Sequence, residues 1–324
     1  MRWATPLAVL AMTAAGVSAC STTPSNESDG RIVVSASLFP IAEIASRVGG
    51  ELIEVVTLTP PGSDAHDVEL TARQIQKLGD SDVVFYFGDD FQPGAQKAIE
   101  SLQDTQVVDL FDAVQLLDAT GSLSGHDADK DPDASEDEHS HGEHDPHVWL
   151  DPANMIAMTE QVVKTLSNMS TAQADTFAAN GDIYIAELTQ LGQFLDSTIG
   201  PNPGDTASKC ATTSLYTAHQ GFTYLAHRAG LDLVPIAGVN PDQQVSAQHL
   251  EDLAHVLKGR NVTIFYESLI PSSTAQTLAD ELNVKTDRLN PLEGLSQADI
   301  DAGVTYVSAQ RENIEKIAVA LGCA

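Results

Sequence analysis

From Arg31 onward, short apolar runs rich in β-branched residues alternate with stretches of helical periodicity, and this alternation limits the fold more than any other feature. IVVSASL (32–38) reads as a strand. FPIAEIASRVGG then sets Ile41, Ile44, Ala45 and Val48 on one helical face and stops at Gly49-Gly50, and LIEVVTL (52–58) is the next strand. TARQIQKLG opens with the Thr-x-x-Gln pattern of a capping box; DVVFYFG follows as a strand, QPGAQKAIESL as a helix and QVVDL as a strand. The rhythm returns after residue 205 with TTSLYTA, HQGFTYLAHRAG, LDLVPIAG, SAQHLEDLAHVLKG, NVTIFYES, SSTAQTLADEL, NVKTDRL and a last helix reaching Leu321. Strands separated by helices pair in parallel and are covered on both faces. The expected class is α/β, with two lobes that each hold a parallel sheet flanked by helices.

Between the two rhythms, Phe177, Tyr184, Leu188, Leu191 and Leu195 share one face of a helix expected over 171–198, about 40 Å long at 1.5 Å per residue. Gly181 and Gly192 weaken it by about 1 kcal/mol each relative to alanine. One long helix as the covalent link is stiffer than a pair of extended strands. The domain reading is therefore a signal segment at 1–20, a tether at 21–30, an N-terminal lobe at 31–165, a linker helix at 166–204 and a C-terminal lobe at 205–324. The N-terminal lobe includes an acidic, histidine-rich stretch at 121–147, too poor in apolar residues to offset its ordering entropy and so expected to be a mobile loop.

Residues 1–20 carry one basic residue, an apolar run and then small residues, the pattern of a secretory signal and too short for a membrane span. Val17-Ser18-Ala19-Cys20 resembles the lipobox of bacterial lipoproteins, which implies acylation at Cys20 and a lipid anchor on the outer face of the cytoplasmic membrane. Of three cysteines, Cys210 and Cys323 then remain, and an oxidising compartment favours a disulfide between them over two free thiols. The chain has 16 basic and 46 acidic residues, a net charge of −30, which argues against nucleic acid or anionic lipid as a partner and leaves cations or basic surfaces.

The histidines are the residues with chemistry to offer. Neutral imidazole suits zinc, whose closed sites usually take four donors. Ligands of open α/β sheets bind beyond the carboxyl ends of the strands. Three histidines fall at such places: His66 after the second strand, His147 where the acidic stretch re-enters structure, and His219 at the end of TTSLYTA, expected to start the following helix. His126, His139, His141 and His144 stand in the acidic stretch with nine acidic residues from Asp127 to Asp145, an arrangement suited to weak capture of metal rather than to holding it. His227, His249 and His255 lie on expected helices and read as structural or surface residues.

The segments GSDAHDVEL, DPHVWLDPANM, TAHQGFTYLA, FYESL and RLNPLEGL, in this order and spacing, resemble those of the metal-binding lipoproteins of bacterial ABC importers, the zinc and manganese receptor class. The resemblance runs from Arg31 nearly to the C-terminus. It implies two α/β lobes joined by one long helix with the metal between them, His66 and His147 as ligands from the first lobe, and His219 as ligand from the second. A histidine at the third position is the zinc-type pattern, where manganese-type relatives carry glutamate. The fourth ligand of the family is usually the aspartate of an L-D-P-L segment, but this chain reads Leu289-Asn290-Pro291-Leu292. Asn290, Glu293 and Glu267 are the candidates in its place, with water as a further possibility. If Asn290 is a weak donor, Asn290→Asp should tighten zinc.

The function implied is an extracytoplasmic Zn²⁺ receptor, a monomer and not an enzyme, that delivers its ion to membrane permease subunits. A manganese receptor of the same class, an exported zinc metallochaperone, a zinc hydrolase using Glu267 or Glu293 as base, and a surface adhesin are the alternatives. The hydrolase lacks both H-E-x-x-H and G-x-S-x-G motifs.

Overall fold

The structure, a computed structural model, describes Met1, residues 30–118, 144–201, 208–239, 245–267 and 283–323, and Thr277, Ala279 and Asp280. Cys20, His126, His139 and His141 lie outside the described residues, as do the signal segment and the tether apart from Met1 and Gly30.

Eight described strands form two sheets of identical plan. In the first, β1 (Ile32–Ala36), β2 (Ile53–Thr57), β3 (Val83–Tyr86) and β4 (Gln106–Asp109) pair in the order β2-β1-β3-β4, all parallel. In the second, β5 (Ser214–Thr217), β6 (Asp232–Pro235), β7 (Thr263–Glu267) and β8 (Lys285–Leu289) pair as β6-β5-β7-β8, again parallel. Each order reverses between its two inner strands, β1 and β3 or β5 and β7, which opens a crevice at the carboxyl ends.

Helices α1 (Phe39–Gly49), α2 (Ala72–Gly79) and α3 (Pro93–Glu100) connect the first sheet. Helix α2 starts at the expected capping box, with Thr71 accepting from the Gln74 amide and Gln74 accepting from that of Thr71. In the second half, α6 (Thr223–Ala229) and α7 (Ala247–Leu257) precede α8 (Gln297–Asp301) and α9 (Tyr306–Leu321). Sulfurs of Cys210 and Cys323 are joined, tying the end of α9 to the lead into β5.

The described residues of the segment 166–204 comprise the end of a helix absent from the sequence reading, α4 (Pro152–Met169), then a turn, then α5 (Ala174–Thr198). Pro152 is tolerated because it stands at the start of α4, where Asp151 caps by accepting from the Ala153 amide. The five apolar residues expected on one face of α5 are all fully buried. Gly181 is explained by packing against α4: a Cβ there would lie 2.4 Å from Val163 Cγ2.

One core runs through both halves. It includes Val34 and Phe85 of the first sheet, Met155 and Val162 of α4, Tyr184 and Leu188 of α5, Leu215 and Phe265 of the second sheet, and Ile314 of α9. Among the described residues no helix is long and apolar enough to cross a membrane.

Candidate metal centre

The parallel register builds half of the site. Thr217 of β5 pairs with Phe265 of β7, so two residues further on His219 stands beside Glu267, the last residue of β7. Thr217 turns the chain there by donating its hydroxyl to the His219 carbonyl at 2.6 Å. His219 does not start the next helix as expected, because α6 begins only at Thr223. The His219 Nδ1 hydrogen-bonds the Glu267 carboxylate, which fixes the tautomer and turns Nε2 toward the crevice.

His147 repeats the device from the other half. Its Nδ1 lies 2.9 Å from Asp145 Oδ1, and the same oxygen accepts from the His147 amide at 2.9 Å. Asp145 is in turn held across the lobes, since Thr223 at the start of α6 donates to Asp145 Oδ2 at 2.6 Å. His66 follows β2 in a loop where its amide donates to Asp64 Oδ1 at 2.8 Å, and Phe91 packs against its ring edge-on at 4.9 Å.

The fourth group is Glu293, and the strand end places it. Beyond β8, Leu292 holds φ +63° although it is not glycine, a left-handed turn that costs about 1–3 kcal/mol unless its surroundings impose it. The surroundings do so: Asn290 Oδ1 accepts from the Leu292 amide at 2.9 Å, Asn313 bonds both backbone groups of Asn290, and buried Trp149 donates Nε1 to the Pro291 carbonyl at 2.7 Å. That turn aims Glu293 into the crevice.

His66, His147, His219 and Glu293 each offer one ligand atom, all within 4.8 Å of one another. Glu293 Oε1 lies 3.3 Å from His147 Nε2 and 3.6 Å from both His66 Nε2 and His219 Nε2, while the two Nε2 atoms of His147 and His219 are 3.3 Å apart. With Nδ1–H donated outward on His147 and His219, the neutral rings present lone pairs to each other and to a carboxylate, an arrangement that needs a cation or protons at its centre. Donors about 2.0–2.2 Å from a tetrahedral zinc stand about 3.3–3.6 Å from one another. His66 Nε2 and Glu293 Oε1 are buried without a hydrogen-bond partner, as atoms reserved for an ion would be.

Electrostatics agree. Burial opposes the charged forms of His147, His219, Glu293 and Asp145, but opposite charges prevail. Glu267, and then Glu293, push His219 up to about 10, and Asp145 with Glu293 raises His147. The surrounding imidazoles hold Glu293 well below the usual carboxylate range, and His147 with Thr223 lowers Asp145.

The other sequence candidates are placed elsewhere. Asn290 offers no atom to the cluster, because its side-chain oxygen is used by the Leu292 amide and its backbone by Asn313. Glu267 stands behind His219 and orients it. Glu267→Gln keeps an acceptor but removes the charge, and we expect zinc affinity to fall about 10–100-fold in a chelator competition with no change in stoichiometry. His144, expected in the mobile stretch, is fixed: its ring Nδ1 lies 3.2 Å from Asp89 Oδ2 and it forms an antiparallel bridge with Asp118. His227, His249 and His255 are exposed on α6 and α7. Sequence reading did not reach Asp145, Thr223 or Leu292. Only Asp145 left a trace, as an acid two residues before an expected ligand.

The sequence profile described as zinc-uptake complex component A, periplasmic (ZnuA), matches residues 34–320. The zinc-binding lipoprotein AdcA of Streptococcus pneumoniae serotype 4 (strain ATCC BAA-334 / TIGR4) is 31% identical over 304 residues, 92% of this chain and 57% of that protein, so the chain spans a little over half the length of this relative. The high-affinity zinc uptake system protein ZnuA of Bacillus subtilis (strain 168) is 30% identical over 309 residues, covering 93% of this chain and 92% of the relative. The crystal structure of the Zn(II)-bound ZnuA-like domain of Streptococcus pneumoniae AdcA superposes with a TM-score of 0.72 at 27% identity, over 90% of this chain and 99% of that one. Two parallel sheets with three imidazoles and a carboxylate converging between them, and a profile match over most of the sequence, make this chain a member of the zinc-uptake complex component A family.

Proposed function

We propose that the protein is an exported zinc receptor of an ABC importer, which binds one Zn²⁺ through His66, His147, His219 and Glu293 and delivers it to permease subunits in the membrane. The observation that carries this reading is the convergence of three imidazole nitrogens and one carboxylate oxygen within 4.8 Å of one another, with the Glu293 oxygen 3.3–3.6 Å from each Nε2 and the His147 and His219 Nε2 atoms 3.3 Å apart, edge lengths of a zinc tetrahedron. Three imidazoles and a single carboxylate form a softer set than manganese prefers, which supports zinc over manganese. Glu293 fills the position that a catalytic zinc keeps open for water, and the family is one of solute-binding receptors, which together speak against the hydrolase.

In this reading Cys20 carries the lipid, the Cys210–Cys323 bond forms on export, the protein acts as a monomer, and His126, His139 and His141 gather metal weakly for the fixed site. The test is a chelator-competition titration of the purified protein. One tight zinc per chain is expected, retained when Ser124 to Glu143 are deleted and lost when His66, His147 and His219 are all changed to alanine. Tight stoichiometric binding by that triple variant overturns the assignment.

A further inference from the structure

The three histidines are not held alike. His147 and His219 are 0% exposed and each bonds a carboxylate through Nδ1, whereas His66 is 9% exposed, its ring packs edge-on against Phe91, and Asp64 accepts from its backbone amide. With Asp64 engaged on the His66 amide, the position of the ring depends on its backbone. That backbone is seated by the start of α3. Gln92, 1% exposed, donates Nε2 to the Ala65 carbonyl at 2.9 Å, immediately before His66, and to Thr59 Oγ1 at 3.1 Å. Thr59 passes the connection on by donating to the Ser37 carbonyl at 2.7 Å, one residue beyond β1.

On the other side of His66, α3 approaches again: a Cβ on Gly94 would come within 2.7 Å of the Val68 carbonyl. The loop also reaches the opposite lobe, where the Gly62 amide donates to the Leu295 carbonyl at 3.0 Å, two residues past Glu293. A buried polar strut thus runs from the end of β1 through Thr59 and Gln92 to the peptide that carries His66.

We propose that Gln92 is a positioning residue for metal binding, acting through His66 by fixing the Ala65 carbonyl. The proposal rests on the zinc-receptor reading and assigns a residue that touches no metal. Loss of the strut frees the most exposed of the three histidines, so the effect falls on how long the ion is held rather than on how fast it arrives.

The experiment measures zinc dissociation from the full-length exported protein by stopped-flow exchange with excess EDTA, for Gln92→Leu, His66→Ala and the double variant. Gln92→Leu is expected to release zinc about 10–100-fold faster. In the His66→Ala background the same change should alter the rate by less than about twofold, because the group it acts through is gone. An equal acceleration in both backgrounds means a general structural role and overturns the proposal. Should Gln92→Leu not fold, Thr59→Val breaks the same strut one bond further out and is expected to show a smaller acceleration with the same dependence on His66. A wild-type protein that binds no zinc overturns the receptor reading itself, which separates that failure from this one.

Discussion

Changing Glu293 to alanine is expected to weaken zinc binding by about 100-fold or more, while Asn290→Asp stays within about threefold of wild type. Zinc in a closed four-ligand site is bound with about 10–16 kcal/mol, so one ligand accounts for about 3 kcal/mol, or roughly 100-fold. Asn290 contributes differently. Its side-chain oxygen supports the left-handed Leu292, and aspartate offers the same acceptor, so restoring the acid common in the family changes little. Asn290→Ala, which removes the acceptor, should fall between the two. Chelator-competition titrations of the three variants decide the order. A large gain for Asn290→Asp would restore it as a ligand and contradict the placement of Glu293.

Zinc affinity should also fall at least tenfold per pH unit below neutral, and approach a hundredfold where two protons are displaced. In the protein without metal, Glu267 and Glu293 push His219 up to about 10, and Asp145 raises His147. Zinc needs both nitrogens deprotonated, so each bound ion releases protons at pH 7 and is opposed more strongly as pH falls. For the metal-free fold the sign is reversed. A raised histidine pKa contributes stability that is complete below about 6.5 and is lost as pH rises through about 10. Calorimetric titrations at pH 7 in buffers of different ionisation enthalpy measure the released protons directly. A buffer-independent binding enthalpy would mean that His219 and His147 are already neutral and would remove the basis for this dependence.

The strand and helix rhythm was readable because parallel strands leave β-branched runs and helices leave a period of about 3.6, and both repeats of the pattern are found in order. His66, His147 and His219 were readable because each sits beyond a strand end or at an edge of the acidic stretch. Glu293 was visible only as one of three alternatives, since its selection depends on the Leu292 turn, set by contacts from Trp149 and Asn313 that lie far away in the chain. Helix α4 escaped because its buried face mixes Met155, Met158 and Val162 with buried Thr159 and Thr165, whose hydroxyls bond back to the carbonyls of Met155 and Gln161. His144 was grouped with its acidic surroundings because the Asp89 that fixes it comes 55 residues earlier.

The shared interior has a thermodynamic consequence. Side chains from both sheets and from α4, α5 and α9 exclude water jointly, and this shared core is larger than the separate cluster in either half, so the two halves are expected to melt together. Heating should give a single calorimetric endotherm whose van't Hoff and calorimetric enthalpies agree, and bound zinc should move that one peak upward without splitting it.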